Sequence, residues 1–369
     1  MRFTVKNEFE GNEYLMGVCM NTLIMLFDGA VDDKIPELGY KTPLEVLEKP
    51  FIDGLASSGI YGCTDPREYT HLFLLEFLTG SNIVVPRGVI EALGLGVPLS
   101  SNQVAYRLSP AVIKDNTIKW VYRLSREEEI RLQNAVMDYL GLLGDLNPRV
   151  YFYGGGRGVI TVESSSALKL PSPPSSASIE TIDLGEFENF IRKIASETGG
   201  LIVFPWGGGS LKTVEIHSHI RSEIHPIVVV SKSPSVLGVG AFLKLGKVRV
   251  FNLGERFHKA FLHLKFSNVL LHIEEIDEVS HKKSPKLKIS LLKEIDKVLM
   301  ENIKLMEGCK VAVIVDHGTS SITGRHLDVK VPFAASNIID QLNPRIRFCE
   351  TSENYVPLKK LVKVILGSF

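Results

Sequence analysis

The sequence predicts an α/β fold in which a core sheet, with helices on both faces, is interrupted by an inserted, smaller α+β domain. Three short apolar runs, 23–27, 268–273 and 311–315, have the length and composition of buried strands. An aspartate follows each run at or shortly after its carboxyl end. Between the first run and the other two lie a glycine-rich turn at 154–158, flanked by short strands, and a loop rich in serine and proline at 164–178. We therefore expect a core of residues 1–95 and 225–369 and an inserted substrate or lid domain at 96–224.

Composition narrows the class of protein. The chain of 369 residues is long enough for two domains. Its 42 basic and 42 acidic side chains balance, which gives no overall bias towards nucleic acid or a membrane surface. No apolar run approaches the length of a membrane span, and the first residues are too charged for a signal peptide. Four scattered cysteines without a Cys-x-x-Cys pair are typical of reduced thiols, so we expect a cytoplasmic protein with neither nucleic-acid nor membrane partners.

The carboxyl ends of the three predicted strands carry potential metal ligands. In open α/β sheets, ligands bind in the crevice beyond the strand ends. Imidazole and carboxylate groups suit zinc or manganese better than calcium. For any one pair such as Asp316 and His317, an ordinary solvated turn is the alternative. Taken together, six residues could hold two ions that clamp a phosphoryl group: Asp28, Asp277, His281, Asp316, His317 and His326.

Several longer motifs resemble one family. Residues 26–62, LFDGAVDDKIPELGYKTPLEVLEKPFIDGLASSGIYG, are similar to the opening of archaeal-type cofactor-independent (2,3-bisphosphoglycerate-independent) phosphoglycerate mutases of the alkaline phosphatase superfamily. Further matches are HLFLL at 71–75, TGSNIVVPRGVIEALGLGVPL at 79–99, VAYR at 104–107 and DEVSH at 277–281. The spacing from Asp316 and His317 to His326 also agrees. The resemblance covers roughly the first and last hundred residues and is weak between about 110 and 260.

The resemblance implies an alkaline-phosphatase-like core and interconversion of 2- and 3-phosphoglycerate, a small phosphorylated substrate. It implies two divalent ions, manganese or zinc, with magnesium or cobalt also possible. By the same resemblance, one ion is held by Asp277, His281 and His326, and the other by Asp28, Asp316 and His317. Arg87 and Arg107 match family arginines, whose planar fork suits a carboxylate or phosphate. The alternative for both arginines is a solvated loop residue.

The chain departs from the family at the phosphoryl acceptor. Relatives carry a serine in Pro-Gly-Ser-Asp-Thr-Ala-His-Leu, and this chain has Arg67 at that position. Arginine stays protonated and cannot act as the nucleophile. Thr64 is either a replacement acceptor or the N-cap of a helix expected to start at residues 64–66. Three roles remain open for Arg67: it binds a phosphate, its charge replaces the second metal ion, or it is an ordinary surface residue.

Three functions remain open at this point. The first is metal-dependent phosphoryl transfer of the phosphoglycerate mutase kind. The second is a metal-dependent phosphohydrolase in which a metal-bound hydroxide attacks the ester, so that no protein nucleophile is needed. The third is a non-catalytic, metal-binding paralogue, a possibility that the missing serine suggests.

Overall fold

A computed structural model describes residues 21–173, 177–217, 219–224, 226–339 and 342–367 of the chain. The strands are, in chain order, β1 Thr22–Phe27, β2 Ile60–Thr64, β3 Gln103–Lys114, β4 Thr117–Trp120, β5 Arg149–Gly154, β6 Arg157–Glu163, β7 Ala177–Ser178, β8 Leu201–Ser210, β9 Ile227–Ser231, β10 Gly246–Arg249, β11 Asn268–Ile273, β12 Lys310–Val315, β13 Gly318–Thr319, β14 His326–Leu327 and β15 Val331–Ser336. The α-helices are α1 Pro43–Val46, α2 Pro50–Ser58, α3 Thr70–Thr79, α4 Arg87–Leu95, α5 Arg126–Tyr139, α6 Glu188–Thr198, α7 Leu211–Ile216, α8 Pro234–Phe242, α9 Leu253–Leu264, α10 Glu275–His281, α11 Pro285–Glu301 and α12 Leu358–Leu366.

One compact unit comprises the described parts of residues 1–83 and 220–369. Its sheet has seven strands in the order β10-β9-β11-β1-β12-β15-β2, and the five from β10 to β12 are parallel. The central strand β1 is buried at all six positions, as expected for a strand covered on both faces. The predicted α/β fold class is therefore confirmed for the core.

The second compact unit comprises residues 84–219. Five antiparallel strands in the order β5-β6-β3-β4-β7 form its sheet together with β8, which pairs with β3. Helices α5 and α6 supply buried apolar side chains to its core. Helix α4 belongs to this unit because it packs on β3 and β8, whereas the sequence predicts a boundary after residue 95. The other boundary lies five residues before the predicted one.

Helix α3 starts later than the sequence predicts. It begins at Thr70, with Tyr69 at its N-cap position, and Thr64 is the last residue of β2. Thr64 therefore does not cap this helix, and that interpretation is wrong. The physical reason is pairing: Thr64 continues the strand opposite Val331, so the chain cannot enter a helix there.

Two further features bear on the sequence-based expectations. No helix among the described residues is both long enough and apolar enough to cross a bilayer. Cys63 and Cys349 are free and buried, but Cys309 is disulfide-bonded, which departs from the expectation of reduced thiols.

Candidate metal centre

Three neighbouring strands position the candidate ligands. Strands β11, β1 and β12 lie side by side and parallel, so their carboxyl ends meet at one edge of the sheet. Asp28 follows β1, and Asp316 and His317 follow β12. Helix α10 begins directly after β11 and carries Asp277 and His281 one helical turn apart on the same side. Local strand formation thus brings five distant side chains to one place.

The sixth residue, His326, arrives by a small antiparallel ladder. Strand β14 pairs with β13, which places His326 opposite Thr319, only two residues beyond His317. The rings of His317 and His326 then lie 4.2 Å apart between centroids. The structure therefore brings all six predicted residues together.

The six residues form two groups whose donor atoms lie close enough to share an ion. One group is Asp28, Asp316 and His317, and all three are buried. The other is Asp277, His281 and His326, and in each group the donor atoms lie within 4.8 Å of one another. His317 joins the groups, because its Nε2 is 3.6 Å from Asp277 Oδ1 and its Nδ1 is 3.5 Å from Asp28 Oδ1.

The buried group has donor atoms that lack partners. Asp28 Oδ1 and Asp316 Oδ2 are buried without a hydrogen bond to any described residue, and the ring nitrogens of His317 face only carboxylate oxygens, with Nδ1 3.0 Å from Asp316 Oδ1. Unsatisfied buried polar atoms are rare and costly unless another group, such as an ion, binds them. The set of oxygen and imidazole nitrogen donors also suits a transition-metal ion. These residues therefore fit a divalent cation.

The charges of the site favour a cation for the same reason. Burial raises the pKa of Asp28 well above its usual value, and the neighbouring charges on Asp316 and Asp277 raise it further. Burial lowers the pKa of His317, but Asp316 and the other carboxylates outweigh this effect and hold it well above its usual range. A protonated His317 thus places a positive charge close to the carboxyl groups of Asp28, Asp277 and Asp316. A divalent metal ion bound there would supply more positive charge than the imidazolium does.

The exposed end of the site keeps its imidazoles available as ligands. Burial, and then the nearby His317, lower the pKa of His326 to about 4, so its ring is neutral at pH 7. His281 Nδ1 is 2.8 Å from the carbonyl oxygen of Gly324. A carbonyl only accepts, so Nδ1 carries a proton and Nε2, 3.2 Å from Asp277 Oδ2, is the nitrogen that faces the second group. Burial lowers the pKa of His281, but the hydrogen bond and charge of Asp277 outweigh it and raise that pKa, so a metal ion at Nε2 would displace a proton.

One histidine of the site has no role in the sequence-based prediction. His272, inside β11, is buried, and its Nε2 lies 2.9 Å from Asp28 Oδ2. Burial lowers its pKa, so the ring is neutral: Nε2 donates to the carboxylate, and Nδ1 accepts from the Ser231 hydroxyl at 3.0 Å. A ligand carboxylate held in this way is oriented for binding. The only sequence signal is a histidine within an otherwise apolar strand.

Gly29 is constrained by the site on one side. It has φ +65, and a Cβ added there would lie 2.7 Å from both Asp277 Oδ1 and Thr319 Oγ1. The Thr319 hydroxyl donates to that same Asp277 oxygen at 2.6 Å. Only glycine therefore allows the chain after Asp28 to pass this close to Asp277.

We expect Gly29→Ala to weaken metal binding, because the new methyl group displaces Asp277. Gly39→Ala is the matched control: Gly39 has φ +69 but no atom within 4 Å of the added Cβ. Both variants carry the backbone cost of about 1–2 kcal/mol for a left-handed residue, but only Gly29→Ala should change Mn²⁺ affinity in calorimetry. Equal affinities for the two variants would contradict the expectation.

Arg67 and Thr64 are the two residues considered at the position of the family's serine. Arg67 donates from Nε and Nη2 to Glu76 Oε2 at 2.9 and 2.5 Å, so its fork already binds a carboxylate. Thr64 is fully buried, and its hydroxyl has no hydrogen-bond partner among the described residues. Its strand register sets it level with Asp316, with β15 between them, which corresponds to about 10 Å. A substrate role for Arg67 and an acceptor role for Thr64 stay predictions.

The two other predicted arginines lie in the second unit and share one partner. Arg87 Nε donates to Glu91 Oε1 at 2.7 Å, and Arg107 Nη1 donates to the same oxygen. The Tyr153 hydroxyl donates to Glu91 Oε2 at 2.8 Å. Burial raises the pKa of Glu91, but Arg107 and Arg87 outweigh it and hold that pKa below its usual value. Glu91 therefore holds both guanidinium groups in place.

Comparison with known proteins agrees with this geometry. Residues 245–353, which include Asp277, His281, Asp316, His317 and His326, match the family model described as Metalloenzyme superfamily. A cofactor-independent phosphoglycerate mutase from Thermoplasma acidophilum has a similar structure, with a TM-score of 0.53, 16% identity and coverage of 94% of this chain and 99% of that one. A protein from Pyrococcus horikoshii has a TM-score of 0.69, 20% identity and coverage of 95% and 98%. Fold and site together define an α/β protein whose metal-ligand cluster lies mostly in the segment that resembles the Metalloenzyme superfamily.

Sequence relatives narrow the class further. The 2,3-bisphosphoglycerate-independent phosphoglycerate mutase of Pyrococcus abyssi is 26% identical over 361 residues, covering 84% of this chain and 87% of the relative. That of Picrophilus torridus is 23% identical over 366 residues, covering 86% and 89%. The chain is therefore a divergent relative of the archaeal-type cofactor-independent phosphoglycerate mutases, and the resemblance noted in its motifs is confirmed.

Proposed function

We propose that the protein catalyses metal-dependent phosphoryl transfer of the phosphoglycerate mutase kind, interconverting 2- and 3-phosphoglycerate. The observation that carries the proposal is the convergence of the two ligand groups on one sheet edge, joined through His317. We assign one ion to Asp28, Asp316 and His317, and a second to Asp277, His281 and His326. Manganese and zinc suit these donors best. When bound, two such ions neutralise phosphoryl charge and lower the pKa of an acceptor hydroxyl.

The chain's own residues have distinct roles in this proposal. His272 orients Asp28, and Thr319 orients Asp277, through the hydrogen bonds described above. Arg87 and Arg107 bind the anionic groups of the substrate, held in place by Glu91. Thr64 is the proposed acceptor of the phosphoryl group, because its hydroxyl has no hydrogen-bond partner among the described residues.

Phosphorus NMR tests the function directly. The protein loaded with Mn²⁺ or Zn²⁺ is expected to convert 3-phosphoglycerate into 2-phosphoglycerate and to stop when the metal is removed by a chelator. The same spectra quantify inorganic phosphate, which a mutase does not accumulate. Loaded protein that leaves the substrate unchanged would refute the proposed activity.

A pair of threonine variants tests the acceptor. Thr64→Ala is expected to abolish both mutase activity and the phosphothreonine detected by mass spectrometry of protein quenched during turnover. Thr70→Ala is the comparison, because Thr70 is half-buried, begins α3 and lies near enough to Asp316 to help lower that carboxyl's pKa. Unchanged activity in Thr64→Ala, with loss in Thr70→Ala, would move the acceptor to Thr70.

A phosphohydrolase is the second candidate, favoured by the full burial of Thr64 and by the pairing of Arg67 with Glu76. In that case water receives the phosphoryl group, and inorganic phosphate accumulates without any isomerised product. Tight, stoichiometric metal binding without either product would indicate the non-catalytic paralogue.

A further inference from the structure

Lys288 is a buried lysine that touches the loops carrying the candidate ligands. It lies in α11, and its side chain is fully buried. Its Nζ donates to the carbonyl oxygens of Gly29, Val31 and Thr319 at 2.9, 3.1 and 2.9 Å. It also pairs with Asp32 Oδ2 at 3.0 Å. An ammonium group has three N–H donors, and the three carbonyl oxygens occupy them, while the Asp32 carboxylate balances the charge as an ion pair.

Two of the residues that Lys288 binds, Gly29 and Thr319, are themselves hydrogen-bonded to candidate ligands. The backbone N–H of Gly29, whose carbonyl binds Lys288, donates to Asp316 Oδ1 at 3.2 Å. Thr319, whose carbonyl also binds Lys288, donates from its hydroxyl to Asp277 Oδ1. A single intervening residue therefore connects Lys288 to one carboxylate of each ligand group: Gly29 to Asp316, and Thr319 to Asp277.

The partner of Lys288 joins the same two loops. Asp32 Oδ1 accepts the backbone N–H of Ser321 at 2.9 Å, while its Oδ2 binds Lys288. Thr319 N–H donates to the carbonyl of Val31 at 2.9 Å. The loop after β1 and the loop after β12 are thus held together by one buried ion pair and the backbone bonds around it.

We propose that Lys288 is a positioning residue that couples the two candidate metal sites by fixing both loops at once. The inference rests on the proposed function only in requiring that the protein binds divalent cations. A purely structural ion pair is the alternative, and the same unit contains one: Lys49 is fully buried, pairs with Asp53 at 2.9 Å and donates to the Leu44 carbonyl at 2.7 Å. Those contacts involve neither ligand group.

Calorimetry with Mn²⁺ on the full chain separates the two roles. Lys288→Met is expected to weaken binding at both sites by about 10–100-fold, as for residues that orient ligands. The matched variant Lys49→Met should stay within about twofold of the wild type, because its contacts are independent of the sites. Thr319→Val removes one bond, to Asp277, and should weaken only one of the two sites.

Hydrogen exchange of the metal-free protein gives a second readout. Lys288→Met should speed exchange in residues 28–33 and 318–321, whereas Lys49→Met should not. If Lys288→Met does not fold, Asp32→Asn, which keeps Lys288 and its carbonyl bonds, should show the same pattern more weakly at both sites.

The outcomes are distinct. Affinities in Lys288→Met and Asp32→Asn equal to those in Lys49→Met overturn the inference alone. Wild-type protein that binds no Mn²⁺ at all overturns the proposed function and the inference with it.

Discussion

Asp316→Asn is expected to lower Mn²⁺ affinity by more than the ~10–100-fold typical of residues that only orient ligands, and to abolish turnover with it. Asparagine keeps the shape and the Oδ1 acceptor for the N–H groups of Gly29 and His317. It removes the negative charge from Oδ2, the atom that has no partner among the described residues. The loss should therefore appear in metal binding rather than in the fold.

Asp296→Asn is the control for that variant. Asp296 is also buried, belongs to the same unit and accepts two backbone N–H groups, from Phe51 and Ile52 at the start of α2. Calorimetry should give wild-type affinity for Asp296→Asn, and circular dichroism should show both variants folded. Unchanged affinity in folded Asp316→Asn would rule out the assignment of that ligand group.

Glu91→Ala is expected to destabilise the second unit by up to about 3 kcal/mol, because it removes the buried carboxylate that two partly buried arginines share. The Glu91 side chain is 1% exposed, and those of Arg87 and Arg107 are 15% and 11% exposed. The Tyr153 hydroxyl loses its acceptor as well. Glu91→Gln keeps the shape and isolates the contribution of the charge.

Tryptophan fluorescence measures this unit selectively. The chain contains two tryptophans, Trp120 and Trp206, and both lie in residues 84–219. Urea unfolding followed by fluorescence should therefore report the loss directly. Glu188→Ala is the control, since the Glu188–Arg192 pair is about half exposed and such surface pairs contribute ~0–1 kcal/mol. Similar losses for Glu91→Ala and Glu188→Ala would contradict the expectation.

The effect of Glu91→Ala should also depend on pH. The arginines hold the folded-state pKa of Glu91 below its usual value near 4.5. A lowered carboxyl pKa stabilises the fold above the unfolded value, and that contribution is lost as pH falls through the folded value. The difference between wild type and Glu91→Ala should be constant above about pH 5 and shrink below about pH 4.

Part of the site could be predicted from local pattern alone. The three apolar runs at 23–27, 268–273 and 311–315 form strands β1, β11 and β12, because short β-branched and aliphatic stretches specify strands locally. Neighbouring parallel strands end at one edge of the sheet. Once these three strands lie side by side, the aspartates that follow them are therefore close together.

Other parts depended on contacts between distant residues. Glu76 binds Arg67, and strand pairing with Val331 moves the start of α3 from Thr64 to Thr70. The sequence around Arg67 does not distinguish a partner of Glu76 from a phosphate-binding residue. The sequence around Thr64 likewise does not distinguish the end of a strand from the cap of a helix. Motif resemblance was also of little help, because this segment is where the chain departs from its relatives.

The amino-acid sequence by itself determined the α/β class, the order of the strands along the chain and the six acidic and imidazole side chains after them, since each follows from residue type and short-range periodicity. Only the tertiary structure decided that His272 orients Asp28, that Glu91 holds both arginines and that Lys288 joins the two ligand-bearing loops. The reason is physical: a buried polar side chain must find partners, and those partners come from segments far away in the sequence.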